Sequence, residues 1–250
     1  MEKVNKVARI TVLFWIIKIL ATTIGETLGD MLSMTFRIGY TESLIITAIL
    51  FVISVIIQLN VSKYYIGLYW LVIVGTTTVG TEVSDFMDRT LGLGYAYGSV
   101  ILFSLLMLVL CIWHRLENGI RYYPITDTKV EILFWIAVLL SNSLGTAFGD
   151  FLCDNMGLSY LTGAMITAGI IGIVVLLHYV SKINHVLLFW IAFIFTRPFG
   201  ATFGDLLTKP FSKGGLDLGT ITSSIITATL LIGLIIFSRS KDRKQKDDLR

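Results

Sequence analysis

WIIKILATTIGETLGD, the segment from Trp15 to Asp30, decides the fold because the chain repeats it. The same skeleton, W-x9-G-x3-[G/S]-D, returns as WLVIVGTTTVGTEVSD from Trp70 to Asp85, as WIAVLLSNSLGTAFGD from Trp135 to Asp150, and as WIAFIFTRPFGATFGD from Trp190 to Asp205. Self-similarity at a period of tens of residues means that one supersecondary unit has been copied, so the chain is an array of units. The tryptophans lie 55, 65 and 55 residues apart, and the second half therefore maps onto the first with an offset of 120. Two successive duplications are the simplest account of that spacing.

Around these motifs the chain is apolar. Hydrophobic residues make up 55% of it, charged residues 15%, and the mean hydropathy is +0.80, which excludes a soluble domain of ordinary composition. A membrane-spanning helix needs about 20 predominantly apolar residues. Eight stretches qualify, at roughly 10–28, 43–60, 64–83, 95–113, 130–148, 159–178, 185–203 and 218–238. Their length and continuity select helices over barrel strands. The expected fold class is an all-α integral membrane protein whose eight transmembrane helices form four parallel two-helix repeats, arranged as two pseudo-symmetric halves. The repeats fall at about 10–62, 63–120, 128–182 and 183–238 within one membrane domain, 10–238, flanked by an N-terminal segment, 1–9, and a basic tail, 239–250. Basic Lys3, Lys6 and Arg9 ahead of an apolar run imitate a signal peptide. The same segment returns three times inside the chain, however, so it reads as a first span that stays attached. Cys111 and Cys153 fall near opposite ends of their spans, so no disulfide is expected between them.

Each unit holds an even number of spans, so all four enter and leave on the same side and share one orientation. Such parallel repeats are related by an axis along the membrane normal. They can close as a pseudo-fourfold ring or pair as a pseudo-twofold dimer of halves, and the uneven spacing favours the second description. Of the 20 Lys and Arg, 14 lie on the side shared by both termini; Arg37, Arg89, Lys209 and Lys213 lie on the other, with Lys18 and Arg197 in or beside spans. The bias places both termini in the cytoplasm. The tail, with six basic residues among three aspartates, reads as a solvated stop-transfer segment or as a contact for anionic lipid.

Positions seven and fourteen apart lie close to one stripe of a helix. Trp15, Thr22 and Gly29 therefore share a face, as do Trp70, Thr77 and Ser84, then Trp135, Asn142 and Gly149, then Trp190, Arg197 and Gly204. A stripe of one aromatic, one polar and one small residue faces protein or water, which makes Thr22, Thr77, Asn142 and Arg197 candidates for a substrate pathway. Glycines four apart let helix backbones approach closely. Each motif aspartate is expected at the end of its helix, where the macrodipole disfavours a carboxylate by about 0.3–1 kcal/mol. A repeated unfavourable choice calls for a partner: a cation, an arginine such as Arg37, Arg89 or Arg197, or free backbone N–H groups. Glu26, Asp30, Glu82, Asp85, Asp150 and Asp205, with hydroxyl groups around them, form an all-oxygen candidate ligand set suited to hard cations such as Mg²⁺, Ca²⁺ or Mn²⁺. From the last cytoplasmic charge or histidine to each aspartate is 20 to 22 residues, about 30–33 Å of helix. That depth equally fits interfacial aspartates paired with rim arginines. Lys18 is expected to snorkel or to pair with a carboxylate, and His114, His178 and His185 to anchor at the interface. Thr47, Thr167 and Thr227, each in an I-T-A triplet, read as packing positions. No nucleotide loop, nucleophile elbow or Cys/His ligand spacing is present, so neither an enzyme nor a cofactor nor a nucleic-acid partner is expected.

With these motifs in hand, the chain resembles a bacterial inner-membrane family of four tandem repeats of unknown function, each with two spans and a characteristic tryptophan. The resemblance covers about residues 10–238. It is carried by Phe14-Trp15 with T-x-G-E-x-x-G-D from Thr23 to Asp30, by Trp70 with Thr78-Val79-Gly80, by Phe134-Trp135 with Gly149-Asp150, and by Phe189-Trp190 with Gly204-Asp205. It implies eight spans and an inner-membrane location, and it assigns no functional residue. The expected activity, read from the carboxylates, is transport or export of a hard cation, a divalent metal such as Mn²⁺. The rivals are a non-transporting sensor or scaffold and an organic-solute permease; the oligomeric state stays open.

Overall fold

The computed structural model describes residues 5–120 and 123–247, with side chains as far as Lys241. Lys3, Arg121 and Arg250, whose charges entered the topology reading, lie outside the described residues. The chain forms α1 (Val12–Asp30), α2 (Tyr40–Asn60), α3 (Ile66–Asp85), α4 (Gly94–Glu117), α5 (Thr128–Asp150), α6 (Tyr160–Val180), α7 (His185–Thr208) and α8 (Thr220–Asp247). Among the described residues these eight are long and apolar enough to cross a membrane, which makes this a multi-pass membrane protein. The odd helices bury 61–67% of their most apolar window and the even ones 22–28%, so the odd helices form the interior and the even ones face lipid.

Four of the helices, α1, α5, α6 and α7, begin where the sequence supplies an oxygen for the first free N–H groups. The side chains of Thr11, Asp127, Ser159 and Asn184 accept from the backbone N–H of Phe14, Lys129, Thr162 and Val186. At the other end three odd helices run past the motif aspartate, through single π-helical turns at Met31–Thr35, Phe86–Thr90 and Phe151–Asn155; α7 stays α-helical to Thr208. This corrects the expectation that Asp30, Asp85, Asp150 and Asp205 terminate their helices. Each stands about one turn inside the end, where the macrodipole's local penalty fades. The reversal that follows passes through a left-handed residue at the same repeat position: Arg37 (φ 53°), Gly92 (φ 68°) and Gly157 (φ 70°). Arg37 is therefore an exposed turn residue and not the partner of a motif aspartate.

The inner helices α1, α3, α5 and α7 pack side by side in that order, and α7 returns to α1. Around them α2 lies on α3, α4 on α5, α6 on α7, and α8 on α1. Each unit thus lays its outer helix against the inner helix of the next unit, and the last embraces the first. The closing seam carries hydroxyl contacts between Ser224 and Thr27 (2.8 Å) and between Thr35 and Thr220 (2.7 Å). Rotation by one unit relates neighbours and rotation by two relates the halves, so the ring contains both symmetries considered from sequence.

Glycine makes this ring possible. The first motif glycine of each unit receives the polar stripe residue of the next: Gly25 meets Thr77, Gly80 meets Asn142, Gly145 meets Arg197, and Gly200 meets Thr22. A Cβ on Gly80 would stand 3.0 Å from the backbone of Asn142, and one on Gly25 or Gly200 would stand 2.9 Å from the threonine backbone opposite. At the end bearing the termini, the segment before α1 folds under the ring. Lys6 Nζ donates to Glu131 Oε2 (3.0 Å) and to the carbonyl of Leu59 (2.9 Å), while Gln58 Nε2 donates to Glu131 Oε1 (3.2 Å). Lys6 is thus a buried structural cation as well as a topological one.

Candidate functional site

The repeats build three layers along the ring axis. The first is an aromatic girdle. The residue before each tryptophan reaches the tryptophan of the next unit, with ring centroids 5.5 Å apart for Phe14 and Trp70, 5.7 Å for Tyr69 and Trp135, 6.3 Å for Phe134 and Trp190, and 5.6 Å for Phe189 and Trp15. Adjacent Phe-Trp or Tyr-Trp pairs point to successive helix positions, which is what lets each pair serve two seams.

About two turns further along stand the four stripe residues, Thr22, Thr77, Asn142 and Arg197, all fully buried. From α7, Arg197 Nη2 donates to Glu26 Oε2 on α1 (2.9 Å) and to Thr81 Oγ1 and the Thr77 carbonyl on α3, while Nη1 meets the Thr22 carbonyl (3.4 Å). From α1, Lys18 Nζ donates to Asn142 Oδ1 on α5 (3.2 Å) and lies 4.2 Å from the Phe193 ring centroid; Asn142 Nδ2 in turn donates to Thr76 Oγ1 (2.9 Å). The two basic side chains span the two diagonals of the ring. Lys18 is wholly buried, so the expectation that it snorkels or pairs with a carboxylate is corrected: its partners are an amide oxygen and an aromatic face.

Beyond this plug lies a carboxylate basin, which collects Glu26, Asp30, Glu82, Asp85, Asp150 and Asp205, all buried. One carboxylate oxygen from each of Glu26, Asp30 and Asp205 lies within 4.8 Å of the other two. Lys209 Nζ bridges two of them, 2.6 Å from Asp30 Oδ2 and 3.1 Å from Asp205 Oδ1. Burial by itself would lower the pKa of Lys209, but the two carboxylates outweigh it and hold the ammonium above the ordinary lysine range. Arg89 Nε pairs with Asp85 Oδ1 at 2.8 Å. Arg89 and Lys209 are 120 residues apart and sit at the same offset from their aspartates, so this outermost layer follows the twofold relation of the halves. Glu82 Oε2 accepts from Ser43 Oγ (2.7 Å). Glu82 Oε1, Asp85 Oδ2 and Asp88 Oδ1 are buried without a hydrogen-bond donor, and Asp150 has neither hydrogen bond nor ion pair among the described residues. Six buried carboxyl groups thus share three basic side chains, Arg89, Arg197 and Lys209, while Asp88 lies against Gly98 of α4. Buried polar atoms without partners are rare, and carboxylate oxygens of Glu82, Asp85 and Asp88 are among those found here.

All six candidate ligands therefore belong to one basin, although only three converge closely. Lys209 was the residue the sequence reading passed over, counted only as a topological charge. The spacing D-x3-[R/K], at Asp85/Arg89 and again at Asp205/Lys209, carried the signal.

A closed ring of four parallel two-helix units enclosing buried carboxylates defines a multi-pass helical membrane protein of internally repeated type. The family described as Repeat of Unknown Function (DUF347) matches residues 13–64, 68–118, 133–184 and 188–243, one match per unit, and the chain belongs to it. Neither the curated proteins nor the solved structures contain a match.

Proposed function

We propose that the protein carries a hard cation, a divalent metal such as Mn²⁺, across the bacterial inner membrane, with both termini in the cytoplasm and the carboxylate basin toward the opposite side. One observation carries this reading: Glu26, Asp30 and Asp205, from opposite ends of the chain, bring carboxylate oxygens within 4.8 Å of one another. Oxygen-only ligands suit Mg²⁺, Ca²⁺ and Mn²⁺. Lys209 acts as a resident counter-ion. A divalent ion takes its place between Asp30 and Asp205, and the ammonium, on a side chain 22% exposed, moves out toward solvent. Below, Arg197 holds Glu26 and the girdle closes the axis, so passage needs a rearrangement of the ring and the protein acts as a carrier. The internal ion pairs at Arg89, Arg197 and Lys209 favour a second reading, a scaffold whose carboxylates serve folding alone.

Reconstituted protein separates the two. Vesicles containing it should take up Mn²⁺ in preference to Na⁺, and Asp30→Asn or Asp205→Asn should cut uptake at least tenfold while the yield of folded protein stays the same. Absence of binding and uptake across a panel of Mn²⁺, Mg²⁺, Ca²⁺ and Na⁺ would leave the scaffold reading standing.

A further inference from the structure

Between the basin and the girdle, the axis carries positive charge. Lys18 and Arg197 meet there, both with no exposed surface, and only one of them has a carboxylate. Arg197 is paired with Glu26 at 2.9 Å; Lys18 has Asn142 Oδ1 and the Phe193 ring. The helix of Lys18 packs against α3, α7 and α8, Lys18 itself reaches Asn142 of α5 and the Phe193 ring of α7, and the charged group turned toward it is Arg197 of α7. From α5 it meets Asn142, which α3 supports through Thr76, and α8 has no titratable side chain between Thr220 and Phe237. The other titratable groups of α3, α5 and α7 belong to other layers, Tyr69 to the girdle, Lys129, Glu131 and His185 to the end bearing the termini, and Glu82, Asp85, Asp150 and Asp205 to the basin.

A divalent ion moving from the basin toward the other side must pass this layer against Coulomb repulsion in a poorly solvated setting. The layer can shed charge in only one way. A guanidinium does not give up its proton in proteins, whereas a buried lysine amine does so readily. Ionisable side chains inside a membrane commonly mark proton relays.

We propose that Lys18 is the coupling group of this carrier, exchanging one proton for each cation, so that the protein is a cation–proton antiporter; this rests on the cation reading above. When the cation occupies the basin, the Lys18 ammonium releases one proton to water on the side from which the cation came and becomes a neutral amine. Once the ring has reopened and the cation has left on the far side, the amine takes one proton from water there. Each cycle moves one divalent cation one way and one proton the other, with a net transfer of one positive charge. Asn142 accepts the hydrogen bond of the ammonium and can donate its amide to the neutral amine after a rotation of its side chain, so one residue serves both states.

The test uses the full-length protein in vesicles, reading Mn²⁺ uptake with an internal metal dye and proton movement with a pH dye. The wild type should release protons as Mn²⁺ moves, should be accelerated several-fold by a pH gradient that drives protons against the cation, and should also exchange Mn²⁺ for Mn²⁺. Lys18→Gln retains a donor for Asn142 and has no titratable proton. It should lose both the gradient response and the proton signal while Mn²⁺/Mn²⁺ exchange remains measurable. Lys18→Arg, with a fixed charge, should lose gradient-driven uptake as well. Gradient-driven uptake that survives in Lys18→Gln would overturn the assignment, as would wild-type Mn²⁺ uptake indifferent to the gradient; either result leaves the cation reading intact. Failure of the wild type to bind or move any cation would remove both.

Discussion

At the residue scale, the ion pairs of this molecule differ in what they hold together. Arg197 and Glu26 have 0% and 4% of their side chains exposed, and removing one partner leaves a buried charge without compensation. Arg197→Ala should therefore lower stability by about 3–5 kcal/mol, read as a large drop in the melting temperature of the purified protein in detergent. Arg89 is 32% exposed where it pairs with the buried Asp85, so Arg89→Ala removes a partly solvated cation but leaves a buried acceptor unsatisfied, and should cost about 1–3 kcal/mol. Equal losses for the two would refute the layered burial described above. Lys209 adds a pH dependence of definite sign. Its pKa is raised in the folded state, so the stabilisation from its bridge to Asp30 and Asp205 is full below the ordinary lysine value of about 10.4 and declines above it, to be lost as pH rises through the higher folded-state value. The part of the stability difference between the native protein and Lys209→Met that comes from the ammonium should hence shrink only in strong alkali, read as converging melting temperatures above about pH 10.

At the element scale, close approach of inner helices depends on small residues whose partners are now identified. A leucine at Gly80 would have to displace the backbone of α5 at Asn142 and Ser143, which lies 3.0 Å from the position of its Cβ. Gly80→Leu should destabilise by about 1–3 kcal/mol. Gly172 on α6 has nothing within 4 Å of a Cβ, and Gly172→Ala should be neutral or gain up to about 1 kcal/mol from helix propensity. Thermal unfolding of both variants in one detergent checks the pair. The glycine spacing was legible in the sequence, and so were the eight helices and the tryptophan register, because each is a local periodic signal. Which helix each glycine meets was not legible, since nothing in one unit encodes that its outer helix will lie on the next unit's inner helix. The π turns after Asp30, Asp85 and Asp150 leave no mark on periodicity either. They shifted the aspartates away from helix termini and thereby removed part of the reason for suspecting them. What the sequence did carry for the site was composition: four aspartates at repeated positions, with two glutamates, Glu26 and Glu82, that the other units lack. Their convergence is a property of the closed ring, and Lys209 escaped notice because it lies just beyond the last turn of α7, where a basic residue reads as a topological signal.

At the scale of the whole molecule, the arrangement rests on closure. Successive units can exchange outer helices along an open row, but only a ring gives α1 its outer neighbour, and that neighbour is α8, from the far end of the chain. The Lys209 bridge from α7's end to Asp30 on α1 spans the same seam, so the tightest carboxylate cluster exists only if the ring is closed. Ser224 and Thr27 offer a direct test, because their hydroxyl oxygens are 2.8 Å apart and cysteines at these positions come within reach of a disulfide. In a background with Cys111→Ser and Cys153→Ala, the double variant Thr27→Cys/Ser224→Cys should, on mild oxidation in membranes, form an intramolecular bridge that joins the first and last units. A protease site placed in the connection between the halves would reveal it, with the two fragments staying together until reductant is added. Fragments that separate without reductant would show that α8 packs elsewhere, and a bridge found only between two copies would show that the ring is completed by exchange between subunits. Either result would dissolve the Glu26–Asp30–Asp205 cluster within one chain and the cation reading with it.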